Sequence, residues 1–255
     1  MKYIALIPAR YASTRFPGKP LARIGGKPMI QRTFEAAARA LGAENVAVAT
    51  DDSRIFDAVE AFGGRAVMTS PDHRSGTDRC REAYDILGSD ADVVINVQGD
   101  EPFLNPLQLK QLVSCFDSED TDIATLARSF GPEKSYETLA DPNTPKLVTD
   151  ARGFALYFSR SVIPYVRGAE REEWPACFPY LTHVGLYAFR APVLREISAL
   201  PQSPLELAES LEQLRWLQAG YRIRVAVTDL PNIGIDTPAD LAAAEKMILE
   251  HPEYA

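Results

Sequence analysis

Short apolar runs alternate with helical patterns along the first half of the chain. Residues 4–7, 46–50 and 93–97 are runs of the length and composition that form buried strands. Between the first two runs, apolar side chains recur at helical spacing over residues 29–41, and Gly42 ends the predicted helix. Strands that alternate with helices in this way indicate a parallel sheet with helices packed on its faces.

The same alternation continues to about residue 105. A helix is predicted over 55–62, a short strand over 66–68, a helix from Ser75 or Thr77 to about Gly88, and a helix that begins at Asn105-Pro106. In sheets of this kind, ligands bind beyond the carboxyl ends of the strands. The loops that follow the strands are therefore where we expect the functional residues.

From Asp122 onward the regular alternation loosens. Strands are predicted over residues 123–127, 146–148, 155–158, 181–189 and 223–227, with loops at 141–145 and 167–179. We interpret the first four of these strands as antiparallel additions to the edge of a mixed, mostly parallel sheet, and residues 223–227 as a further strand. Because no clean linker separates them from the rest, we expect a single α/β domain over residues 1–255, with halves 1–120 and 121–255.

Two helix starts in the last quarter of the chain are marked by capping residues. Ser203-Pro204-Leu205-Glu206 is a capping box with Pro at the first helical position, and it predicts one helix through Leu217. The core stripe of that helix would be Leu207, Leu211, Leu214 and Leu217. Thr237, Pro238 and Asp240 occupy the cap, first and third positions of a final helix.

Charge is unevenly distributed over the 255 residues. The first acidic residue is Glu35, and seven basic residues precede it, whereas the net charge of the whole chain is −8. A localised basic loop on an acidic protein fits a small polyanion better than nucleic acid, which needs a basic face spread over the domain. The alternative is a solvated basic loop without a ligand.

No apolar run approaches the length of about 20 residues that crosses a bilayer, and no secretory signal pattern opens the chain. The three cysteines are widely separated and lack metal-ligand spacing, so we expect thiols in a reducing compartment. We therefore predict a cytoplasmic protein without membrane insertion and without a nucleic-acid partner.

The basic loop that follows the first strand carries Arg10, Arg15 and Lys19 among small residues, glycine and proline. Small residues let the backbone approach a ligand closely, and these cations suit phosphate or carboxylate oxygens. The segment Ile7-Pro8-Ala9-Arg10-Tyr11-Ala12-Ser13-Thr14-Arg15-Phe16-Pro17-Gly18-Lys19-Pro20 closely resembles the nucleotide-binding signature of the 3-deoxy-manno-octulosonate (KDO) cytidylyltransferases. Later stretches extend the resemblance over essentially the whole chain.

The resemblance implies an α/β fold of the nucleotide-diphospho-sugar transferase type, with an antiparallel subregion for the acceptor and for dimerisation. It also implies transfer of CMP from CTP to the anomeric hydroxyl of KDO, for lipopolysaccharide biosynthesis, by a Mg²⁺-dependent homodimer. On this basis the first half of the chain would bind CTP and the second half would bind the sugar acid.

A Ser-Gly turn near residue 75 is a candidate for reading the base. Cytosine differs from uracil only in hydrogen bonding at N3 and N4, and backbone groups of such a turn can reach a base edge. The resemblance assigns Arg74, Ser75 and Gly76 to the cytosine pocket, whereas the alternative makes Ser75 or Thr77 a helix N-cap. The full nucleotide-binding set that we expect is Ala9, Arg10, Lys19, Arg74, Ser75, Gly76 and Gln98.

An acidic residue follows the apolar strand at 93–97, on the sheet edge that carries the basic loop. Asp100 would repel a polyanion unless a divalent cation lay between them. Carboxylate oxygens are hard ligands, which Mg²⁺ prefers. Asp100 could instead simply form a turn after Gly99. The resemblance pairs Asp100 with Asp236 as metal ligands. The alternative for Asp236 is that it merely adds favourable charge to a helix N-terminus. The predicted catalytic set is Arg10, Lys19, Asp100 and Asp236.

Polar residues on the later strands are candidates for holding the sugar acid. Period two places His183 and Tyr187 on one face of a strand, and the resemblance assigns both to the sugar. His183 could otherwise be a core histidine, and Glu212 and Gln213 could be solvated helix surface. The predicted sugar-binding set is Arg15, Gln98, Arg160, His183, Tyr187, Glu212 and Gln213.

Two alternatives to this function stay open. The first is a related cytidylyltransferase that acts on another sugar acid, such as a sialic acid or an amino-KDO. The second is a regulatory protein that binds a nucleotide on the same fold without turnover. Both predicted metal carboxylates and Lys19 are present, which argues against a protein that only binds.

Overall fold

The chain folds into two units in the computed structural model, which describes residues 1–12, 16–231 and 233–250. The first unit comprises Met1–Lys110, Ala188–Ser198 and the segment from Pro231 onward. The second unit comprises Gln111–Tyr187 and Ala199–Leu230. The chain therefore returns to the first unit twice after residue 120, where we had placed the start of the second half.

Strands occur where the apolar runs predict them. In chain order they are β1 Tyr3–Ala9, β2 Arg23–Ile24, β3 Lys27–Pro28, β4 Val46–Thr50, β5 Ala66–Met68, β6 Val93–Asn96, β7 Ile123–Ser129, β8 Lys146–Thr149, β9 Ala155–Ser159, β10 Leu181–Arg190 and β11 Ile223–Thr228. The short β2 and β3 form an antiparallel hairpin that the sequence pattern did not indicate.

The longer helices also lie within a few residues of their predicted positions. In chain order the helices are α1 Met29–Leu41, α2 Ser53–Ala61, α3 Gly76–Ile86, α4 Pro106–Ser114, α5 Tyr136–Leu139, α6 Trp174–Cys177, α7 Ala191–Ser198, α8 Pro204–Glu209, α9 Gln213–Gln218 and α10 Pro238–Glu250. Among the described helices, none combines the length and the apolar composition needed to span a membrane.

The prediction of one helix through Leu217 is wrong. The helix that starts at the capping box ends at Glu209, because Ser210 adopts a left-handed conformation with φ +50° and a second helix follows. The N–H of Leu211 bonds back to the carbonyl of Glu206, which is a common way for a helix to end. Leu207, predicted to lie in the core stripe, is 61% exposed as a result.

The first unit is built on parallel strands in the order β6-β1-β4-β5. Each of these strands is apolar along most of its length, and Leu6, Val48 and Val94 are fully buried. Strands that are buried on both faces read as continuous apolar runs rather than as alternating ones. The predicted parallel sheet is therefore confirmed.

The second unit mixes parallel and antiparallel pairing. Strand β11 is parallel to β7, whereas β8 is antiparallel to both β9 and β10. The antiparallel pairing predicted in this region is confirmed for β8, β9 and β10, whereas β7, which we had also interpreted as an antiparallel addition, pairs in parallel with β11. The mixed, mostly parallel fold class is confirmed.

Candidate active site

A tight turn after β1 places Lys19 at the carboxyl end of the parallel strands. Gly18 has φ +71° and donates its N–H to the carbonyl of Tyr11 at 2.9 Å. A Cβ at this position would lie 3.0 Å from the Tyr11 ring, so the turn favours glycine for both reasons. Ser13, Thr14 and Arg15 lie outside the described residues, and the assignment of Arg15 to the sugar stays a prediction.

The ammonium of Lys19 joins two carboxylates. Its Nζ donates to Asp100 Oδ2 at 2.7 Å and to Asp236 Oδ1 at 3.1 Å. The Lys19 side chain is mostly buried, while Asp100 and Asp236 remain partly exposed toward the pocket. The two acidic residues that the sequence analysis singled out are thus brought together with the lysine of the basic loop.

Packing of the C-terminal segment explains how Asp236 reaches this position. The preceding residue, Ile235, is buried among Ile24, Met29 and Ile248. The helix start that follows is capped as predicted, because Thr237 Oγ1 accepts from the Asp240 N–H at 3.2 Å. The apolar anchor and the cap together fix the backbone on both sides of Asp236.

The approach of the strand end to β1 requires a glycine at position 99. A Cβ on Gly99 would lie 2.9 Å from the carbonyl oxygen of Pro8, closer than such atoms approach in proteins. Glycine therefore lets the Gln98-Gly99-Asp100 turn lie against the first strand. The turn carries the Asp100 carboxylate to the basic loop.

The donor chemistry of this site fits a magnesium ion. Asp100 and Asp236 converge on a single cation, the Lys19 ammonium, and both offer the hard oxygen ligands that Mg²⁺ prefers. The described residues contain no cluster of three or more side chains suited to a metal. Two carboxylates alone suit an ion that completes its coordination with substrate phosphates and water.

An open cavity of about 250 Å³ extends from the two carboxylates along the strand ends. All the residues predicted to bind the nucleotide or the metal line it, namely Ala9, Arg10, Lys19, Arg74, Ser75, Gly76, Gln98, Asp100 and Asp236. Arginine, lysine and carboxylate side chains therefore face one cavity of the first unit. This is the arrangement that a metal-bound polyphosphate needs.

The Ser-Gly turn serves as a helix start. Ser75 is the N-cap of α3, and its Oγ accepts the Asp78 N–H at 3.1 Å, so the capping interpretation is confirmed. The next residue, Gly76, lies so close to the Pro8 ring that a Cβ would be 3.1 Å from it. The cap uses Ser75 Oγ as an acceptor, so the hydroxyl proton and the backbone groups of the turn remain available for the proposed contact with the base.

Gln98 has one end of its amide engaged. Its Nε2 donates to Asn96 Oδ1 at 3.3 Å. Gln98 lines the cavity, and its amide carbonyl, a hydrogen-bond acceptor, is not used by this bond. An acceptor at this position complements the amino group of cytosine and not the carbonyl of uracil.

Two further cavity residues were missed by the sequence analysis. His73 pairs with Glu82, which also accepts the Ser70 N–H at 2.8 Å. Burial acts to raise the pKa of Glu82, but the bonds from His73 and Ser70 outweigh it, and the net pKa is lowered. His73 precedes the Ser-Gly turn directly, and this adjacency was the available signal.

Arg79 is the second missed residue. It is buried, yet it lines the cavity, and it is held by Thr69 Oγ1 at 2.6 Å and by Asp51 Oδ2 at 3.3 Å. It follows the Ser75 cap by four residues, which is one turn of helix, so the same face of α3 carries both. That spacing could have identified it.

A cluster of polar and aromatic groups lies in the second unit. The rings of His183 and Tyr187 are 5.3 Å apart between centroids, and Tyr187 meets Trp216 edge-on at 5.1 Å. Burial lowers the pKa of His183 to about 4. Burial, and then the charge of Glu212, raise the pKa of Tyr187 well above its ordinary value. Both rings are therefore neutral hydrogen-bonding groups at pH 7.

The predicted Glu212-Gln213 pair is not solvated helix surface. Gln213 is only 4% exposed, and its Nε2 has no hydrogen-bond partner among the described residues. Glu212 accepts from Arg215 Nη2 at 2.8 Å. A buried amide with an unused donor is costly unless a ligand or water supplies an acceptor, so Gln213 favours the ligand-binding interpretation.

Arg160 is directed at the backbone. Its Nε donates to the carbonyl of Glu209 at 2.5 Å, its Nη1 to that of Pro142 at 2.7 Å and its Nη2 to that of Ser210 at 3.3 Å. The neighbouring Lys146 is fully buried, and its ammonium donates to three carbonyls, of Asp141, Thr144 and Arg160. Arg160 thus holds the left-handed turn that precedes Glu212, and Lys146 holds the Arg160 carbonyl. The contact of Arg160 with the sugar stays a prediction.

Known proteins resemble this chain in sequence and in fold. The model of the family described as cytidylyltransferase matches residues 4–223. The 3-deoxy-manno-octulosonate cytidylyltransferase of Parabacteroides distasonis is 56% identical over 245 residues, which cover 96% of this chain and 97% of that protein. The 8-amino-3,8-dideoxy-manno-octulosonate cytidylyltransferase of Shewanella baltica is 45% identical, covering 97% of this chain and 99% of that protein.

A solved structure matches over almost the whole chain. It is described as CMP:2-keto-3-deoxy-manno-octonic acid synthetase complexed with CTP, and it superposes with a TM-score of 0.89 at 45% identity. The match covers 98% of this chain and 99% of the other. Sequence and fold therefore agree on the same group of proteins.

Proposed function

The chain belongs to the cytidylyltransferases, and within them to the 3-deoxy-manno-octulosonate group, and from that premise we propose that it transfers CMP from CTP to KDO. The anomeric hydroxyl of the sugar acid is the acceptor, and pyrophosphate leaves. The product, CMP-KDO, would serve lipopolysaccharide biosynthesis.

One observation carries the proposal more than any other. Lys19 lies between Asp100 and Asp236 at the edge of a cavity that arginines also line. A purely structural site has no need for a mostly buried lysine and two convergent carboxylates at the carboxyl ends of parallel strands. A site that binds a triphosphate and moves charge onto pyrophosphate needs both signs of charge at that edge.

The reaction depends on positioning and charge stabilisation rather than on covalent chemistry. The sugar hydroxyl attacks the α-phosphorus in line with the departing pyrophosphate. Arg10 and Lys19 hold the triphosphate and offset the charge that develops on the leaving group. Gln98, Gly76 and Arg74 orient the cytosine, so that the α-phosphorus is held in one position.

We propose Mg²⁺ as the cofactor, with Asp100 and Asp236 as its protein ligands. The bound ion would neutralise charge on the phosphate oxygens. Without the ion, Lys19 keeps the two carboxylates together, which limits their mutual repulsion.

The acceptor subsite is proposed to use His183, Tyr187, Glu212 and Gln213 of the second unit. The unused donor of Gln213 and the neutral rings of His183 and Tyr187 suit the hydroxyl groups of a sugar. The relative from Shewanella baltica is named for an 8-amino sugar acid. We therefore retain an 8-amino sugar acid as the second candidate acceptor.

We further propose a cytoplasmic homodimer. The second unit exposes Leu156, Leu205 and Leu207, which is apolar surface of the kind that a second copy covers. Sedimentation of the full chain tests this directly, and a monomer at micromolar concentration would contradict it.

The function is tested by pyrophosphate release over a panel of substrates. CTP and UTP are each offered with KDO, 8-amino-KDO and N-acetylneuraminate, with and without Mg²⁺. We expect turnover with CTP and KDO in the presence of Mg²⁺. Far better use of 8-amino-KDO or N-acetylneuraminate would change the proposed acceptor but keep the reaction class. CTP binding without turnover on any acceptor would overturn the proposed function.

A further inference from the structure

A threonine that the sequence analysis did not consider lies under the acceptor cluster of the second unit. Thr125 is on β7 and is fully buried. Its hydroxyl oxygen is 3.0 Å from His183 Nε2, 2.9 Å from the carbonyl of Leu186 and 3.3 Å from the carbonyl of Val184. One hydroxyl therefore meets a ring nitrogen, two backbone carbonyls and the hydroxyl of Tyr187, which has a proton of its own to donate.

The proton of that hydroxyl is directed at a backbone carbonyl. A carbonyl oxygen can accept a hydrogen bond but cannot donate one, so the Thr125 proton points to Leu186 or to Val184. The Thr125 oxygen then has only lone pairs to offer to His183. A favourable contact at 3.0 Å requires His183 Nε2 to carry a proton and to donate it.

We infer that Thr125 is a positioning residue that holds His183 in the tautomer protonated at Nε2. The other ring nitrogen, Nδ1, then keeps its lone pair and acts as an acceptor. Within the described part of the chain no protein group bonds to Nδ1, and the His183 side chain is partly exposed. Nδ1 is therefore open to a hydrogen-bond donor from a ligand.

The tautomer determines what kind of ligand group His183 recognises. An Nδ1 lone pair attracts a hydroxyl and repels a carboxylate. The ring stays neutral because its surroundings, Thr125, the Phe158 ring and the Tyr187 ring, solvate an imidazolium poorly, and its pKa falls to about 4. If the acceptor is a sugar acid, as proposed above, His183 binds one of its hydroxyls and not its carboxylate.

The protonation of the ring can be read directly by nuclear magnetic resonance. The chain has three histidines, and comparison with His183→Gln assigns the ring nitrogens of His183 in the nitrogen-15-labelled full-length protein. At pH 7 we expect a protonated Nε2 and an unprotonated Nδ1 in the parent and in Thr125→Ser. Thr125→Val removes the acceptor and should shift the ring toward the tautomer protonated at Nδ1.

A second buried threonine of the same unit provides a matched control. Thr121 Oγ1 donates to the carbonyl of Cys115 at 2.7 Å, so Thr121→Val removes a comparable hydroxyl at a different site. We expect the His183 signals of Thr121→Val to match those of the parent protein. A parent ring protonated at Nδ1, or unchanged His183 signals in Thr125→Val, would overturn the inference.

Kinetics connect the tautomer to the acceptor. Thr125→Val should raise KM for KDO by about tenfold, the effect of one misdirected hydrogen bond, without changing CTP affinity. Thr125→Ser should restore KM. A shifted tautomer with an unchanged KM would overturn the role in acceptor binding. If the parent does not use KDO at all, the proposed acceptor fails, while the resonance result still decides the role of Thr125.

Discussion

Ile235 donates its backbone N–H to the carbonyl oxygen of Asp100 at 2.9 Å, although the two residues are far apart in the sequence. This hydrogen bond ties the C-terminal segment to the turn after β6 and brings the Asp236 carboxylate to the side of Asp100. The two charges would repel each other if neither a cation nor Lys19 lay between them. The fold thus brings the two proposed metal ligands together from segments that are distant in the sequence.

The first prediction concerns the two carboxylates. Asp100→Asn and Asp236→Asn keep the side-chain shape and remove the charge, and each should lower turnover by at least about 100-fold, because preorganised charge contributes several kcal/mol to such a barrier. Pyrophosphate release during a Mg²⁺ titration measures the effect. Asp90→Asn, which changes an exposed partner of Lys2, is the control and should behave as the parent. Near-normal activity of both variants, or turnover in excess chelator, would contradict the assignment.

The second prediction concerns Lys19. Lys19→Met should slow single-turnover CMP transfer by about 100-fold or more, and Lys19→Arg should restore it only in part, because a planar guanidinium cannot replace a compact ammonium. Without a divalent cation, the variant leaves Asp100 and Asp236 facing each other. Mg²⁺ should therefore raise the melting temperature of Lys19→Met more than that of the parent. Equal shifts would show that the ammonium does not hold the carboxylates together.

Most of the first unit could be predicted from the sequence, apart from the β2–β3 hairpin, α7 and the cavity residues His73 and Arg79. Its strands are continuous apolar runs, and its helices begin at capping residues such as Ser75 and Thr237, so local chemistry and global fold agree. The long basic motif identified the family correctly, because a segment of fourteen residues is far more specific than a single glycine pattern.

The second unit contained what the sequence could not reveal. A serine seldom adopts a left-handed conformation, so nothing marked Ser210 as the end of α8. The contacts that hold it come from Arg160, which is distant in the chain. The role of Thr125 was equally hidden, because a buried threonine on an apolar strand looks like any other core residue until its neighbours are known.

The third prediction concerns choice of base. Gln98 lines the cavity, and its amide carbonyl, which the bond from Nε2 to Asn96 leaves unused, should accept from the amino group of cytosine. Gln98→Leu should therefore lower kcat/KM for CTP more than for UTP, reducing the preference by about tenfold or more. Parallel kinetics with the two nucleotides measure the ratio. A ratio equal to that of the parent would mean that the pocket reads ribose and phosphates only.

The fourth prediction follows from the low pKa of His183. In the folded protein the His183 ring is protonated with a pKa of about 4, whereas in the unfolded chain its pKa is about 6.5, the ordinary value for histidine. Between these two values the unfolded state takes up more protons, so stability is full above pH 6.5 and falls as the pH drops toward 4. The loss amounts to about 3 kcal/mol at most, because the ring is partly exposed.

Urea denaturation at a series of pH values between 7 and 4 tests this dependence. His183→Gln removes the titrating group and should lose less stability over that interval than the parent. The difference between the two curves reports His183 alone, since the other titrating groups are shared. Curves that run parallel over the whole interval would rule out a histidine buried in its neutral form.

The last prediction separates two roles for Arg160. If its guanidinium serves mainly to hold the carbonyls of Pro142, Glu209 and Ser210, Arg160→Met should lower the free energy of unfolding by about 2–3 kcal/mol, because these acceptors lose a charged donor. It should also raise KM for KDO, since the Ser210 turn sets the start of the segment that carries Glu212. Arg81→Met, which breaks only a surface pair with Asp85, is the control and should change stability by less than about 0.5 kcal/mol. Unchanged stability with a sharply raised KM would instead make Arg160 a direct ligand of the sugar acid, because a side chain that binds only the substrate contributes nothing to the fold in its absence.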